Sequence, residues 1–424
     1  MGLRFHDARK LETSQKRLVM EVLDLALEQL DLSASDLEKI ESAYRGVGNY
    51  LASCEHPLLR DSLIYPQGSV RMRTSVKPLS KEEFDVDLIL FLPHASGASR
   101  DDINDVVWRH LKAHKIYGPL TEKLARGFRI NYKGNYHLDI TPAKEYPFED
   151  LPGQPLLVVD KRFEFKESNP EGAAQGFDDA CRVMPKILKR MTFTESLEAN
   201  TVQDLPDQSD KKPLNRITQV IKRHRDVWAS NEDNHFGDFK PISVLLTTLV
   251  RLAYLRVVNS GKVFESEFDL LLDVVELMPM FIEQANDEYR VENPSMRQEN
   301  YAEKWNRKEK MEGAKLQQAF VQWHKAAVFD FEMIAQSSEK GMDTMFKTLS
   351  TAFGERPVSS ARDRILESIS NSRDKGRLGV VATTGAITAA ASAKASSKPA
   401  IANSTSTKTA PVIPIKKNRF YGDQ

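Results

Sequence analysis

The chain of 424 residues is poor in cysteine, carries no net charge and has no long apolar run. Its only cysteines, Cys54 and Cys181, fit a reducing compartment and exclude both a disulfide framework and a cysteine-based zinc site. Sixty basic side chains balance sixty acidic ones, so there is no global basic field to draw in long nucleic acid, and a nucleic-acid activator is not indicated. The most apolar run, Ile242 to Val258, is interrupted by Arg251 and Arg256 and is too short to span a bilayer. Met1 to His6 lacks the apolar core of a signal peptide. A soluble cytoplasmic protein without a membrane partner is the expectation. There is no internal repeat, and the length suits two or three domains.

What the chain does have is one dense stretch, Tyr65-Pro66-Gln67-Gly68-Ser69 through Thr74 and on to Phe84-Asp85-Val86-Asp87-Leu88-Ile89-Leu90. It reads as a phosphate-gripping turn followed by a strand. Side chains alternate across a strand, so Asp85 and Asp87 share one face, about 7 Å apart, while Phe84, Val86 and Leu88 face a core. Two carboxylates so placed repel unless a cation sits between them, and Mg²⁺ prefers carboxylate and phosphate oxygens. Phe128 to Tyr132 and Tyr136 to Ile140 read as a hairpin around Lys133-Gly134-Asn135, which brings a third carboxylate, Asp139, onto the face shared with His137. The turn's N–H groups and the Ser69 hydroxyl suit triphosphate oxygens. Three carboxylates suit two metals acting on an in-line displacement, with Asp139 also placed to take a proton from the attacking hydroxyl. Either element alone is weak evidence; together they indicate phosphoryl or nucleotidyl transfer.

Around this stretch the periodicity is helical. Residues 14 to 53 form two scaffold helices, the second with a capping box opening at Ser35-Asp36-Leu37-Glu38. Asp101 to Lys115 is an amphipathic helix whose His110 and His114 are one turn apart but have no third ligand nearby, so a polar face is the expectation there. Leu156 to Phe165 suggests a strand pair. From Asn169-Pro170-Glu171-Gly172 onward helices dominate: Ala173 to Ala199 broken at Pro185, Pro213 to Trp228, Ile242 to Val258, Glu265 to Glu288, Asn300 to Ser337 and Gly341 to Gly354. Trp228 and Trp305 are expected in the core, and Tyr132 and Tyr136 are the better stacking platforms. Beyond Arg373 the chain turns to Ala, Ser, Thr and Lys and is expected to be a flexible tail, with Pro411 to Gly422 as an extended peptide for a partner.

Gln67-Gly68-Ser69, Asp85-Val86-Asp87 and Asp139 resemble the signature of the polymerase β-like nucleotidyltransferases. More narrowly, with Asn169-Pro170-Glu171-Gly172, Lys222-Arg223-His224-Arg225-Asp226 and Lys240-Pro241-Ile242-Ser243, they resemble the CD-NTases, bacterial relatives of cyclic GMP-AMP synthase in anti-phage (CBASS) signalling. The resemblance spans residues 15 to 350. It implies an α+β fold: a polymerase β-like lobe with a mixed sheet and N-terminal helices (1 to 165), a helical lobe (166 to 372), a tail (373 to 424), and an active site between the lobes. It implies metal binding and catalysis by Asp85, Asp87 and Asp139, and nucleotide contacts by Gln67, Gly68, Ser69, Lys222 and Ser243, with Asn169 near the nucleobase. Two Mg²⁺ ions, or Mn²⁺ in their place, would assist. The expected reaction joins ATP, and also GTP, without a template into a cyclic oligonucleotide, an adenine-rich trinucleotide in the branch that looks nearest. The alternative is transfer to an RNA end or a small-molecule acceptor. Relatives are regulated by HORMA proteins or by ubiquitin-transfer-like enzymes acting on the C-terminus. One position departs from the pattern: the residue before Thr74 is commonly Gly, and here it is Arg73. On composition alone Lys222 would be part of a solvated basic face.

Overall fold

The computed structural model describes residues 4–79, 83–132, 136–147, 150–188, 211–374, 378–381, 387–389 and 412–414. The fold is α+β, as expected, with two large hydrophobic cores and a small third cluster (Ile89, Ala143, Leu156, Val158) among the described residues. The strands β1 (Leu63–Pro66), β2 (Phe84–Phe91), β3 (Thr121–Leu124), β4 (Gly127–Tyr132), β5 (Tyr136–Glu145), β6 (Leu156–Asp160) and β7 (Glu164–Ser168) make one sheet. Along it β1 pairs β2, β2 pairs β5, and β5 continues to β4 and β3, with β6 and β7 joined to the far end of β5. β2 and β5 run parallel while their other neighbours are antiparallel, so the sheet is mixed.

The longer helices among the described residues are α1 (Thr13–Leu30), α2 (Ala34–Ala52), α3 (Arg100–Ala113), α4 (Pro170–Arg182), α5 (Pro213–Ala229), α6 (Ser243–Asn259), α7 (Glu267–Leu277), α8 (Glu312–Ser338), α9 (Met342–Phe353) and α10 (Glu355–Asp374). Val86, Leu88 and Leu90 of β2 pack with Leu138 and Ile140 of β5 under α2 and α3, which supply Val47, Leu51, Ile103 and Val107. α1 belongs elsewhere. Leu18, Val22, Leu23 and Leu27 join the second core with α4 to α10, so residues before α2 belong with the helical lobe rather than with the sheet. The reason is apolar area: α1 is buried on nearly every side and needs partners around it, which helices provide better than a single sheet face. Among the described residues no helix is long and apolar enough to cross a membrane.

Local chemistry explains several departures from the sequence expectations. α2 starts one residue before Ser35 because Ser33 and Asp36 cap each other reciprocally, side chain to backbone at 3.1 and 3.2 Å. Glu265 to Glu288 is not all helix. It leaves α7 at Leu277 and ends in a hairpin, Glu283–Ala285 against Glu288–Arg290, turned by Asn286 and Asp287 at φ +51° and +61°. Another short hairpin, Glu292–Asn293 with Met296–Asn300, precedes the helical turns that lead into α8. In the tail, Leu378–Val381 pairs antiparallel with Ile387–Ala389 and with Val412–Pro414. The apolar anchor expected to dock on a partner therefore pairs, over Val412 to Pro414, with the chain's own β-branched segment; the remaining tail positions, including Phe420 to Gly422, lie outside the described residues.

His110 and His114 hold no shared ligand position. Both rings lie against Tyr50, at centroid distances of 4.3 and 4.4 Å, and His114 Nδ1 accepts from the backbone N–H of Tyr117. Trp305 is buried in the second core and Trp228 is partly buried against it.

Candidate active site

Strand register assembles the acidic cluster. In the parallel β2–β5 pairing Asp85 is opposite His137, and Asp87 is opposite Asp139. All four side chains therefore project from one face of adjacent strands. Ligand atoms of Asp85, His137 and Asp139 lie within 4.8 Å of one another. His137, buried, contacts Asp85 directly through Nε2. Asp87 lines the cleft between the lobes with its side chain open to solvent, although many protein atoms surround it. Desolvation, reinforced by Asp139 and then Asp85, pushes its carboxyl up to about 6. A site of hard, mutually repelling oxygens with one imidazole fits a divalent cation such as Mg²⁺ or Mn²⁺. His137 joins Asp85 and Asp139 in this group, and Asp87, the other expected carboxylate, lies opposite Asp139 on the same face.

Arg129 escaped the sequence reading. Its guanidinium forks onto Asp139 with two 2.7 Å hydrogen bonds and lies 3.5 Å from Asp85. The signal was available: a hairpin that pairs Tyr132 with Tyr136 must place Arg129 opposite Asp139.

The turn is fixed from both sides. The N–H of Gln67 donates to the Asp87 carbonyl at 2.8 Å, continuing the β1–β2 ladder. Gly68 follows at φ +61°, where a Cβ would stand 3.2 Å from Asp87 Oδ2. Glycine is needed there both for conformation and for the approach to the carboxylate. Arg71 reaches across to α4, to Asp178 at 2.9 Å and Glu171 at 3.3 Å. Asn215, Gln219 and Lys222, spaced along one face of α5, donate to the carbonyls of Met72, Ser75 and Thr74 at 3.0, 2.7 and 2.9 Å. Arg73 adopts φ +55°. It occupies the left-handed conformation that Gly adopts freely, with a side chain that raises the local energy by about 1–2 kcal/mol.

α5 is not a solvated face. Lys222, Arg223, His224 and Arg225 are all buried. The Trp323 indole donates to His224 Nδ1 at 3.1 Å, which leaves Nε2–H to donate to Asp330 at 3.0 Å. Arg225 donates to Ser243 Oγ at 3.1 Å and to the Pro241 carbonyl at 2.9 Å, holding the start of α6. Burial, reinforced by Arg225, pulls the Lys222 ammonium down to about 7 against the opposing pull of Asp226 and Asp87.

A cavity of about 850 Å³ between the lobes is lined by Gly68, Ser69, Asp85, Asp87, Lys222 and Ser243, among others. Gln67 contributes backbone geometry behind it. Asn169 does not line it. Fully buried, it caps α4 through Oδ1 to the Gly172 N–H, and its amide donates to the carbonyls of Pro152 and Ser295. These bonds engage the whole Asn169 amide, which ties the start of α4 to the loops at Pro152 and Ser295. Tyr132 and Tyr136 stack on each other, 5.1 Å between centroids, and line a different cavity.

A mixed sheet carrying acidic residues on adjacent strands, a Gly-Ser turn and a facing helical lobe define the class: a polymerase β-like nucleotidyltransferase. Comparison with known proteins agrees. Residues 63–142, from β1 into β5, match the family described as cyclic GMP-AMP synthase DncV-like, nucleotidyltransferase domain. Over 420 residues the chain is 25% identical to a c-di-GMP synthase of Roseivirga ehrenbergii, covering 97% of this chain and 100% of that protein. Among solved structures it resembles the CD-NTase CdnG of Bradyrhizobium diazoefficiens in complex with GTP (TM-score 0.59, 17% identity, 84% of this chain and 100% of that one). It also resembles CdnC of E. coli MS115-1, solved with ATP and, separately, with a HORMA protein (TM-score 0.53, 13% identity; 79% of this chain in both, 97% and 96% of those chains). The chain is thus similar to bacterial cyclic GMP-AMP synthase-like nucleotidyltransferases, with the family match falling on residues 63–142.

Proposed function

We propose that the chain joins two nucleoside triphosphates into a cyclic dinucleotide with release of pyrophosphate, and that GTP is its first substrate. The observation that carries this is the register pairing of Asp87 with Asp139 beside Asp85, at the floor of a cleft whose opposite wall presents Lys222 and Ser243. In this reading Gly68, Ser69, Lys222 and Ser243 bind the donor triphosphate, and the carboxylates hold the cation. A divalent cation held there would neutralise triphosphate charge and acidify the attacking hydroxyl. Asp139 accepts that hydroxyl's proton. Arg129, forked onto the Asp139 carboxylate, orients it before substrate arrives.

The guanine preference draws on the name of the Roseivirga relative and replaces the adenine-rich trinucleotide expected from the sequence. By the same kinship the product is a second messenger in anti-phage defence, and a HORMA-type partner is the regulatory candidate. The test is acceptor-free incubation of the purified chain with labelled GTP, ATP or both, and Mg²⁺ or Mn²⁺, followed by phosphatase. A phosphatase-resistant product with the mass of c-di-GMP is the expected result. Label that moves only onto added RNA or a small acceptor would replace this reading with end-modification, and no product under any metal would reject both.

A further inference from the structure

A second cavity, of about 1010 Å³, opens where the two cores meet, between the ends of the β4–β5 hairpin, α2, α5 and the start of α10. It shares Pro78, Leu79 and Phe84 with the catalytic cleft as a common wall. Lys39, Lys77, Arg223 and Arg356 face it against one carboxylate among the described lining residues, that of Asp36. That carboxylate is already engaged, by the Ser33 cap and by Lys77 at 3.8 Å. The charge surplus is positive.

Arg223 distinguishes this cavity from a solvated basic rim. It is only 4% exposed, its Nε donates to the Phe353 carbonyl at 2.8 Å, and its Nη1 is buried without a hydrogen-bond partner among the described residues. Burial lowers its affinity for its proton. A charged donor left unpaired in the interior costs about 1–3 kcal/mol or more. On the opposite wall the stacked Tyr132 and Tyr136 rings add flat apolar surface suited to a planar ring. α5 thus presents consecutive cations to two spaces, Lys222 to the catalytic cleft and Arg223 to this one.

We propose that this cavity is a second ligand site for a small aromatic anion with nucleotide chemistry, its ring against Tyr132 and Tyr136 and its phosphates on Arg223, Lys77 and Arg356. The volume is at the upper end for small-molecule sites, about 300–1000 Å³, so it admits a mononucleotide or a linear dinucleotide. The site does not depend on the proposed synthesis, and its test needs no turnover.

The experiment is calorimetric titration of the full chain bearing Asp85→Asn and Asp87→Asn, without divalent metal, using GTP in one arm and the linear dinucleotide pGpG in the other. Arg356→Glu and Tyr136→Ala are added singly, at rim positions where the fold should tolerate them, with thermal melts to verify folding. The expected result is a binding component that either rim substitution weakens on the order of tenfold and that persists when Lys222→Met removes the triphosphate contact proposed for the catalytic cleft. Such weakening with GTP identifies a mononucleotide site, and with pGpG alone a dinucleotide site. Binding of neither probe, or binding that responds only to Lys222→Met, overturns the proposal.

Discussion

Replacing Asp87 with Asn should make the protein more stable while abolishing its chemistry. The wild-type carboxyl is pushed from the ordinary 3.8 to about 6 by desolvation and by Asp139 and Asp85. Because the folded-state value is raised, the native protein holds this proton more tightly than the unfolded chain. The resulting stabilisation is complete below pH 3.8 and is lost as pH rises through about 6, above which the ionised group opposes folding. Two units correspond to an upper limit of about 3 kcal/mol. Asp87 keeps a face open to the cleft, and solvent screening there leaves about 1 kcal/mol. Urea unfolding of wild type and variant in chelator should therefore show Asp87→Asn ahead by about 1 kcal/mol at about pH 8, with the gap closing toward about pH 4. Adding Mg²⁺ should favour the wild type selectively, since a ligand that binds only the native state adds to its stability. A variant no more stable than wild type in chelator, or a gap independent of pH, would refute the electrostatic reading of the cleft floor.

Other consequences are equally open to measurement. Lys222, held near 7 by burial, should take up a proton when a triphosphate binds, so calorimetry in buffers of different ionisation enthalpy should show net proton uptake at about pH 7.5, absent in Lys222→Met. Arg73→Gly should be neutral or stabilising by up to about 1 kcal/mol in thermal melts, whereas Arg73→Val should destabilise by more, because the backbone there is left-handed. Arg129→Met should leave Asp139 without its counter-charge and tighten Mn²⁺ binding measured by electron paramagnetic resonance; weaker Mn²⁺ binding would show instead that Arg129 orders the ligands.

Alternation along β2 put Asp85 and Asp87 on one face by period alone, and the hairpin brought Asp139 to the same face. What pairs Asp87 with Asp139 is the parallel β2–β5 register, a tertiary choice between segments some fifty residues apart in sequence, which local pattern does not encode. α5 was legible as a helix, but its basic residues suggested solvent. Their burial follows from Trp323, Phe353 and the turn carbonyls closing around the helix, none of which is near it in sequence. Asn169, matched to a family pattern by residue type and position, caps α4 in the structure. Asn286-Asp287 was a readable turn signal that helical periodicity on either side obscured.

The most direct test of the account compares nucleotide synthesis by the wild-type chain with that of Asp85→Asn/Asp87→Asn and of Asp139→Asn, with product quantified by mass spectrometry at saturating GTP and Mg²⁺. The account predicts cyclic dinucleotide from the wild type and only background from both variants, each of them folded; undiminished synthesis by either variant would contradict it.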